Sequence, residues 1–511
     1  MAIFIGCICS LALLLLCSHV FQLLSDARRP LPPGPRPLPV IGNLLDVAGE
    51  LPHRSLSRVA QRYGPLVTLR LGTTLAVVAS SPATAREVLH RHGASITDRG
   101  TPDAWRTDGH ETNSIFALPT RHHRWRALRR LGAEQLFSPR RVEKQRPLRR
   151  DAVRGLLRHV SELAAASGGG TGTAVVDVGR AAFAAMASLL FGSLFSVGID
   201  AATSCRFRDA AREFALLTLT PNVSEFFPVV AMADLQGLRR RTARHITWMY
   251  QLIDGHVERR MRGRETAGAH GEKEKDLLDV MLDISEKQEQ NDDSLTINRG
   301  VIRAFLADLL TAGSETSSAV IEWAMAELLQ NPQTMRKLQE ELKKVIGSKT
   351  YIDEEDIDQL PYLQAVIKET HRLHPAIPLL MYKAAVPVEI QGYKIPKETT
   401  VVVNTWAIHQ NSEVWIEPDK FIPERFLQKE ISLSSGSTNM ELVPFSAGRR
   451  FCLGYPVANR MLHLMLGSLV HQFQWTLPEV VKKNGGVDMA EKFGLTLSMA
   501  TPLHAIAKNI V

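Results

Sequence analysis

The chain has 511 residues, of which 45% are hydrophobic and 22% charged, with a formal net charge of +8. This composition fits a folded globular protein and excludes disorder over most of the length, and no basic–aromatic motif indicates binding to nucleic acid. Three of the five cysteines (Cys7, Cys9 and Cys17) share one apolar N-terminal stretch, so the body has too few for a disulfide framework and fits a reducing compartment.

The N-terminal segment is predicted to cross a membrane. Residues 2–24 are almost continuously apolar, and a helix needs about 20 residues to cross a bilayer. The alternative is a cleaved signal peptide, but this apolar core is too long for one and no basic residue precedes it. Arg28 and Arg29 follow and, by the positive-inside rule, leave the rest of the chain in the cytoplasm. We therefore expect a transmembrane anchor at 1–25 and a proline-rich hinge at 26–45.

Residues 46–511 are expected to form one large domain that is mainly α-helical with small β-sheets. No repeat is visible at the periods of solenoids or propellers. The longest helix is expected from Asn298 to Gln330, because Asn331 and Pro332 then stop it. Short strands are expected at Leu66–Leu71, Leu75–Ala79, Val388–Tyr393, Thr400–Asn404 and Leu495–Ala500.

The middle of the longest helix carries small and polar residues where the flanking turns are apolar. Ala312, Gly313, Ser314, Glu315 and Thr316 follow one another there. Such residues weaken a buried helix and expose its carbonyl groups. The segment is therefore either a place where another helix approaches closely or a functional site.

The most specific motif is F-x-x-G-x-R-x-C-x-G near the C-terminus, formed by Phe445, Gly448, Arg450, Cys452 and Gly454. A thiolate needs N–H donors and nearby positive charge to stay deprotonated. The two glycines permit a tight turn close to the sulfur, the arginine can face an acidic cofactor edge, and the phenylalanine supplies an apolar wall. A lone cysteine is usually an inert buried thiol, but this loop favours a metal ligand.

With this motif the chain resembles the cytochrome P450 family of haem-thiolate monooxygenases, and the resemblance covers nearly the whole length. The other family motifs follow in order: W-x-x-x-R at Trp125–Arg129, A/G-G-x-D/E-T at Ala312–Thr316, E-x-x-R at Glu369–Arg372 and the PERF segment at Phe421–Phe426. The anchor and hinge match plant microsomal members. The resemblance implies the cytochrome P450 fold, haem b with a cysteine thiolate ligand, O2 as co-substrate, and electrons from NADPH through NADPH-cytochrome P450 reductase. It also implies the endoplasmic reticulum membrane, with the catalytic domain cytoplasmic.

The resemblance assigns roles to individual residues. Cys452 is the iron ligand, and Thr316 and Glu315 are the catalytic pair that organises water and feeds protons to oxygen. The residues expected to hold the haem are Trp125, Arg129, Ala312, Gly313, Lys383, Phe445, Gly448, Arg450 and Gly454. Lys383 stands where plant members usually have histidine or arginine, so it would act as a point charge rather than a fork. A threonine bonded back onto its own helix is the alternative for Thr316.

A structural network is expected from Glu369, Arg372 and Arg425. Two such residues three apart on a helix usually form only a solvated surface pair. The family instead buries this pair together with the PERF arginine, and a buried network is costly to break.

The substrate is expected to be apolar, because the regions that contact substrate in the family carry mainly apolar side chains. The residues expected to line the pocket are Trp105, Phe116, Phe305, Asp308, Ile377, Leu379, Leu380, Leu495 and Leu497. Local stretches resemble the plant geraniol hydroxylase and ferruginol synthase group, which implies a terpenoid, either a labdane-related diterpene or a monoterpenoid. Phenolic or flavonoid hydroxylation is the alternative. Two further classes are a reductase-independent haem-thiolate isomerase or dehydratase and a non-catalytic haem-binding protein.

A basic cluster accompanies the W-x-x-x-R helix. It consists of Arg121, Arg124, Arg126, Arg130, Arg140, Arg141, Lys144, Arg149 and Arg150. One interpretation is a solvated helix face, and the other is a docking surface for an acidic reductase, where charge mainly raises the association rate.

Overall fold

The computed structural model describes residues 29–166, 175–267, 275–290 and 297–510, so the predicted anchor lies outside the described residues. The helices are α1 Leu44–Val47, α2 Pro52–Tyr63, α3 Pro82–Arg86, α4 His110–Asn113, α5 His123–Gln135, α6 Pro139–Lys144, α7 Arg146–Ala166, α8 Val178–Phe195, α9 Ala201–Leu219, α10 Val223–Phe226, α11 Leu238–Ala267, α12 Leu277–Gln290, α13 Arg299–Gln330, α14 Pro332–Ile346, α15 Pro361–Leu373, α16 Thr405–His409, α17 Arg425–Gln428, α18 Tyr455–Gln472 and α19 Glu479–Lys483. A π-helical turn, Glu87–Arg91, continues α3, and 3-10 turns lie at Asp103–Trp105, Pro228–Ala233, Glu354–Gln359 and Gly448–Arg450.

The core is built around α13, the longest of the described helices. Its N-cap is Asn298, whose side-chain oxygen accepts a hydrogen bond from the Val301 N–H at 3.0 Å. Helix α8 packs along it at two glycines. A Cβ added to Gly179 would lie 2.7 Å from the carboxyl group of Glu322, and one added to Gly313 would lie 2.9 Å from Leu190. The small residues therefore allow two long helices to approach closely, as one of the two interpretations predicted.

The strands form one larger sheet and three small ones. They are β1 Leu66–Leu71, β2 Thr74–Ala79, β3 Ile96–Asp98, β4 Val176–Asp177, β5 Leu379–Ala384, β6 Val388–Ile390, β7 Tyr393–Ile395, β8 Thr400–Asn404, β9 Phe473–Thr476, β10 Glu491–Lys492, β11 Ser498–Met499 and β12 His504–Asn509. The larger sheet has the order β1-β2-β8-β5-β3, in which β2 and β8 run parallel and the other pairs antiparallel. A three-stranded sheet has the order β4-β12-β9, and β6-β7 and β10-β11 are hairpins.

The prediction of a mainly helical domain with small sheets is confirmed. The strands predicted at Leu66–Leu71 and Thr400–Asn404 have the observed bounds. Two other predictions were partly wrong. The stretch Val388–Tyr393 spans a turn between two strands, and only the pair Ser498–Met499 within the predicted last strand is extended and paired.

Within the described residues, one helix is long and apolar enough to cross a membrane by length and composition, and it is α8. Most of α8 is buried inside the domain. Because its apolar side chains pack against α13 and α7, we interpret α8 as a core helix of the domain.

Candidate active site

The loop that carries Cys452 is shaped by the turn before it. Gly448 has a φ of +63°, and a Cβ there would lie 2.5 Å from the carbonyl oxygen of Leu89, so only glycine fits without strain. The Cys452 N–H then donates to the Phe445 carbonyl at 3.0 Å and closes the loop. Gly454 differs from expectation, because its φ is −81° and an added Cβ would meet only the Phe137 ring at 3.9 Å.

The surroundings of Cys452 can stabilise its thiolate form. The backbone N–H groups of Gly454 and Tyr455 donate to it, and the guanidinium of Arg129 is close enough to favour the thiolate. Burial raises the pKa of the thiol, and these donors and the arginine oppose that rise. Although Cys452 lies deep in the protein, part of its surface is accessible.

Aromatic rings cover the loop on its inner side. The Phe445 ring meets Tyr455 edge-on at 4.9 Å and His371 edge-on at 5.1 Å between centroids, and Phe451 meets Tyr455 at 5.5 Å. Both ring nitrogens of His371 are buried without a partner among the described residues, and burial lowers its pKa to about 3. A neutral histidine thus packs with Phe445, Phe451 and Tyr455 in one aromatic cluster at the Cys452 loop.

Cationic side chains gather beside the loop. Arg450 donates to the carbonyls of Thr97 at 3.0 Å and Leu118 at 2.6 Å, and its guanidinium lies 5.1 Å from the Trp125 ring centroid. Burial, with repulsion from neighbouring arginines, lowers the pKa of Arg450 to about 9. Arg129 donates to the Phe451 carbonyl at 2.5 Å. The structure therefore brings Trp125, Arg129 and Arg450, which come from two separate motifs, close together.

Arg99 also lies in this cluster, and it was not among the residues that the sequence singled out to hold a cofactor. Its Nε is buried with no partner among the described residues, and its positive charge lowers the pKa of Arg450. Lys383, which was expected in the cluster, instead pairs with Glu398 at 2.8 Å. Asp98 pairs with Lys383 in the β3–β5 register, so Arg99 lies just beyond the last paired residue. A basic residue directly after a short strand was the available signal.

One face of α13 is left partly accessible. Leu309, Ala312, Gly313 and Thr316 are half-buried, whereas their neighbours are buried, and their spacing of three and four residues puts them on one helix face. The Thr316 hydroxyl donates to the Ala312 carbonyl at 2.7 Å, which is the back-bonded arrangement considered as the alternative. Its oxygen keeps lone pairs that can accept a hydrogen bond.

Glu315 points to a different side of α13 from Thr316. Its carboxyl group lines a cavity of about 260 Å³ between α9 and the β10–β11 hairpin, where Arg212, Leu216, Phe493 and Thr496 also lie. Burial raises the pKa of Glu315, and the charges of Arg212 and Arg208 oppose that rise. The predicted catalytic pair therefore shares one helix turn but not one helix face.

The Cys452 loop and α13 are joined at Gly132 of α5. A Cβ added to Gly132 would lie 2.7 Å from Leu453 Cδ2 and 3.4 Å from Phe305 Cζ, so the residue after the cysteine is close to the long helix. The donor set suits haem b. It offers one thiol with amide donors, three arginines close enough to affect one another's charge, a guanidinium Nε that is buried without a partner among the described residues, and an accessible helix face of small residues.

The structure brings Glu369, Arg372 and Arg425 into one buried network. Arg372 is bidentate on Glu369, with distances of 2.7 and 2.9 Å, and Arg425 Nε lies 3.1 Å from the same carboxylate. Arg372 also donates to the carbonyls of His409, Pro418 and Lys420. Both charges of the central pair are fully buried. The network ties α15 to the segment that leads into the Cys452 loop.

Asp308 was expected in the substrate pocket, and the structure gives it a different environment. Its carboxylate accepts hydrogen bonds from Ser114 Oγ at 2.7 Å and from the Ile115 N–H at 2.8 Å, and it lies 3.6 Å from His110 Nε2. Burial raises the pKa of Asp308 to about 7. Asp308 therefore holds the loop after α4 on α13.

Other predicted pocket residues are divided between different packing groups. Leu379 and Leu380 alternate along β5 and pack into different apolar clusters on opposite faces of the sheet, so they do not line one pocket together. Phe305 and Leu497 are fully buried. Phe305 packs against α5, and the Leu497 carbonyl accepts a hydrogen bond from the Trp323 indole.

The four remaining predicted pocket residues differ in exposure. Trp105 donates to Thr218 Oγ1 at 2.9 Å and is buried. Phe116, Ile377 and Leu495 are half-buried.

The basic cluster is only partly a surface feature. Arg149 is fully buried, where it pairs with Glu354 at 2.7 Å and donates to the Val142 carbonyl at 2.6 Å. Arg150 pairs with Asp353 at 2.8 Å. Arg126, Arg130 and Arg140 are exposed on α5 and α6, as is Arg449 of the turn before Cys452. An exposed cationic surface therefore adjoins the loop, but it is smaller than predicted.

Comparisons with known proteins give one consistent result. The profile of the family described as Cytochrome P450 matches residues 32–496. Carnosic acid synthase of Rosmarinus officinalis is 40% identical over 504 residues, 95% of this chain and 96% of that protein. For 11-hydroxysugiol 20-monooxygenase of Salvia miltiorrhiza the identity is 40% over 504 residues, with coverages of 96% and 97%. Cytochrome P450 76C2 of Arabidopsis thaliana is 40% identical over 483 residues, with coverages of 93% and 91%. The similarity thus extends well beyond the cysteine motif.

Proposed function

The chain belongs to the cytochrome P450 family and is a monooxygenase, and from this premise we propose that it hydroxylates a terpenoid. The observation that carries the haem-thiolate part of the proposal is the Cys452 thiol, which has amide donors from Gly454 and Tyr455 and lies near Arg129. Haem b bound at this thiol would supply oxygen activation, and thiolate ligation favours cleavage of the O–O bond. Oxygen is the co-substrate, and NADPH supplies the electrons through NADPH-cytochrome P450 reductase.

The residues around the thiol would hold the cofactor. Cys452 provides the ligand, and the N–H groups of Gly454 and Tyr455 keep its charge from being lost to protonation. Arg99, Arg129 and Arg450 lie where they can neutralise the carboxylates at a haem edge, and Arg99 has an unpartnered buried Nε for this purpose. Arginine suits this task because its planar fork binds carboxylates bidentately.

Two residues of the long helix α13 would take part in proton transfer. The Thr316 hydroxyl donates to the Ala312 carbonyl, so its oxygen can accept a hydrogen bond from a water molecule and hold it beside the helix face of small residues. Glu315 would exchange protons with water in the cavity that it lines, because burial raises its pKa and so favours the protonated form relative to an exposed carboxyl group. Since the two side chains lie on different faces, water must connect them.

Two observations support a terpenoid substrate. The sequence resembles the geraniol hydroxylase and ferruginol synthase group, and two relatives are named carnosic acid synthase and 11-hydroxysugiol 20-monooxygenase. Carnosic acid and 11-hydroxysugiol are both diterpenoids. Leu309 on the accessible helix face and the predicted pocket residues Phe116, Ile377 and Leu495 are half-buried and apolar, which suits an apolar ligand.

The test uses microsomes that contain this chain and a plant reductase. They are supplied with diterpene hydrocarbons, monoterpene alcohols and flavonoids, with and without NADPH, and product masses are measured. An NADPH-dependent gain of one oxygen atom on a terpenoid supports the proposal. The same gain on flavonoids alone contradicts the substrate class, and product without NADPH contradicts monooxygenation. Microsomes with Cys452→Ser are the matched control and should give no product.

We also propose that the domain rests on the endoplasmic reticulum membrane, with 1–25 as its anchor and 26–45 as its hinge. Six exposed apolar side chains form what we call the lipid-facing patch: Leu38, Val40, Leu45, Val229, Met232 and Leu235. Val229 and Met232 are 96% and 94% exposed. The two parts of the patch adjoin, because Gly42 bridges to Leu71 and the Thr73 N–H donates to the Phe226 carbonyl at 3.0 Å. Exposed apolar patches of this kind mark membrane or protein contacts.

Carbonate extraction of microsomes tests the membrane proposal. The full chain should remain in the membrane fraction, and a chain that begins at residue 29 should be extracted. Vesicle flotation of the shorter chain then isolates the lipid-facing patch, because Val229→Asp with Met232→Asp should reduce binding while the exposed change Val480→Asp should not. Equal binding by both variants would contradict the role of the patch.

A further inference from the structure

Ser446 has an unusual backbone conformation in the loop that carries Cys452. Its φ is +62°, a left-handed value that residues other than glycine rarely adopt. Gly448 is left-handed as well, with a φ of +63°, and Ala447 between them is extended. Glycine adopts a left-handed conformation at little cost, whereas a serine keeps it only where the surrounding structure supports it.

The support for Ser446 comes from Tyr382 on β5. The Tyr382 hydroxyl and Ser446 Oγ lie 2.8 Å apart, which is a hydrogen-bond distance. Tyr382 is 2% exposed, and its strand is paired on both sides, with β3 and with β8. In the part of the chain that the structure describes, neither hydroxyl has a further hydrogen-bond partner. A buried residue on a central strand therefore holds the serine side chain through one bond.

The conformation of Ser446 determines where the Phe445 carbonyl points. This carbonyl belongs to the planar peptide group between Phe445 and Ser446, so a rotation about φ of Ser446 turns the whole group. The Cys452 N–H donates to the Phe445 carbonyl at 3.0 Å and closes the loop. The N–H of the same peptide group donates to the Val443 carbonyl at 3.2 Å. One peptide group thus connects the turn at Ser446 to the residue that carries the thiol.

We propose that Tyr382 is a positioning residue for Cys452, because its bond to Ser446 holds the turn that aims the Phe445 carbonyl at the Cys452 N–H. The loop then keeps the sulfur within reach of its amide donors from Gly454 and Tyr455. The proposal rests on the proposed haem-thiolate function and adds to it a residue that lies outside the cysteine motif.

Four variants separate the hydrogen bond from the backbone strain. Tyr382→Phe and Ser446→Ala each remove one hydroxyl, so both leave a left-handed residue other than glycine without its support. Ser446→Gly also loses the bond, but glycine adopts the left-handed conformation without strain. The double variant Tyr382→Phe with Ser446→Gly tests whether Tyr382 acts through Ser446. The matched control is Tyr393→Phe on β7, because the Tyr393 hydroxyl has no hydrogen bond among the described residues.

The first readout is the persistence of thiolate ligation in the full chain. The carbon monoxide complex of the reduced protein is kept in dilute urea, and the loss of the red-shifted Soret band is followed with time. We expect the loss to be about fivefold faster in Tyr382→Phe and in Ser446→Ala, which corresponds to a hydrogen bond worth roughly 1 kcal/mol. Ser446→Gly and the double variant should lose the band at the parent rate, because relief of the strain offsets the lost bond. Tyr393→Phe should also match the parent.

Hydrogen exchange gives a readout that does not depend on activity. The amide of Cys452 should exchange faster in Tyr382→Phe and Ser446→Ala, because its bond to the Phe445 carbonyl opens more often. It should exchange at the parent rate in Ser446→Gly and in Tyr393→Phe. If Tyr382→Phe does not fold, Ser446→Ala compared with Ser446→Gly carries the test, since both changes are small.

The outcomes separate the positioning role from the chemistry. Unchanged exchange in Tyr382→Phe would overturn the proposal, and faster exchange with an unchanged rate of band loss would reduce the bond to a structural contact without influence on the thiolate. Equal acceleration in Ser446→Gly and Ser446→Ala would also overturn it, because the strain would then play no part. An effect of Tyr382→Phe that persists in the Ser446→Gly background would show that Tyr382 does not act through Ser446. If the parent shows no thiolate spectrum, the haem-thiolate function fails, and exchange of the Cys452 amide alone decides whether Tyr382 holds the loop.

Discussion

Asp308 accepts a 2.7 Å hydrogen bond from the hydroxyl of Ser114, and this bond fastens the loop after α4 to the long helix α13. The same carboxylate accepts the Ile115 N–H at 2.8 Å. Within two residues of this contact, Arg450 of the cysteine loop donates to the Ile115 carbonyl at 2.9 Å. One short segment thus connects the helix above the site to the loop that carries Cys452.

This contact predicts a pH effect on stability. Burial raises the pKa of Asp308 from 3.8 to about 7 in the folded chain, so the folded state binds more protons than the unfolded state between these values. The contribution of Asp308 to stability is therefore greatest at low pH and falls as the pH rises towards 7. We expect the thermal midpoint of the parent to fall relative to that of Asp308→Asn between about pH 4 and pH 7. A constant difference over that range would contradict the assignment.

The network at Glu369 predicts a large loss of stability on neutralisation. Glu369→Gln leaves the fully buried Arg372 and the neighbouring Arg425 without their shared carboxylate, and breaking a buried pair in this way costs about 3–5 kcal/mol. The matched control is Glu441→Gln, which removes an exposed pair with Lys429 and should cost less than about 1 kcal/mol. Urea unfolding midpoints measure both, and similar shifts for the two variants would show that the network does not stabilise the fold.

The turn before Cys452 is expected not to tolerate a methyl group at Gly448. Gly448→Ala forces a φ of +63° on alanine and places Cβ 2.5 Å from the Leu89 carbonyl oxygen, whereas Gly436 has nothing within 4 Å. We expect Gly448→Ala to lose at least about 1–2 kcal/mol of stability and to lower the fraction of chains that bind haem. Gly436→Ala should behave like the parent. Equal haem content in the two variants would contradict the conformation of the turn.

The hydroxyl on α13 predicts a change in how oxygen is used. Thr316→Ala removes the oxygen that can accept a hydrogen bond from water, so electrons from NADPH should be diverted to hydrogen peroxide. We expect product formed per NADPH consumed to fall by roughly a hundredfold, the lower end of the range of general acid–base effects. Thr316→Ser keeps the hydroxyl and should retain most of the coupling. Equal coupling in the alanine and serine variants would show that the hydroxyl has no such role.

The parts of the fold with strong local signals were predictable. The long helix begins within one residue of the predicted position because Asn298 is its N-cap, and it ends before Pro332 because proline cannot continue the helical hydrogen bonds. The prediction of a strand at Leu495–Ala500 was mostly wrong, because the alternation of apolar and polar residues there reflects side-chain packing and not pairing with a neighbouring strand. Leu497 contacts Ala376 and Trp323 through its backbone, and only Ser498 and Met499 pair with a neighbouring strand.

The site was predictable in its motif residues and less so in the residues between motifs. Cys452, Arg450 and Arg129 each belong to a specific pattern, and the structure brings them close together, while their roles towards haem stay predictions. Arg99 could not be placed from the sequence, because its role depends on the direction in which the chain leaves β3. The sequence instead favoured Lys383, because sequence alone does not show which acidic side chain a lysine pairs with. In the structure Lys383 pairs with Glu398 at 2.8 Å.

The central claim is that Cys452 holds a haem as its thiolate, and the most direct measurement is the carbon monoxide difference spectrum of the reduced protein. The described residues contain one other free cysteine, Cys205, which supplies the control. The parent and Cys205→Ser should both show the red-shifted Soret maximum of a thiolate-ligated haem, and Cys452→Ser should lose it. A thiolate spectrum retained in Cys452→Ser, or one lost in Cys205→Ser, would contradict the account.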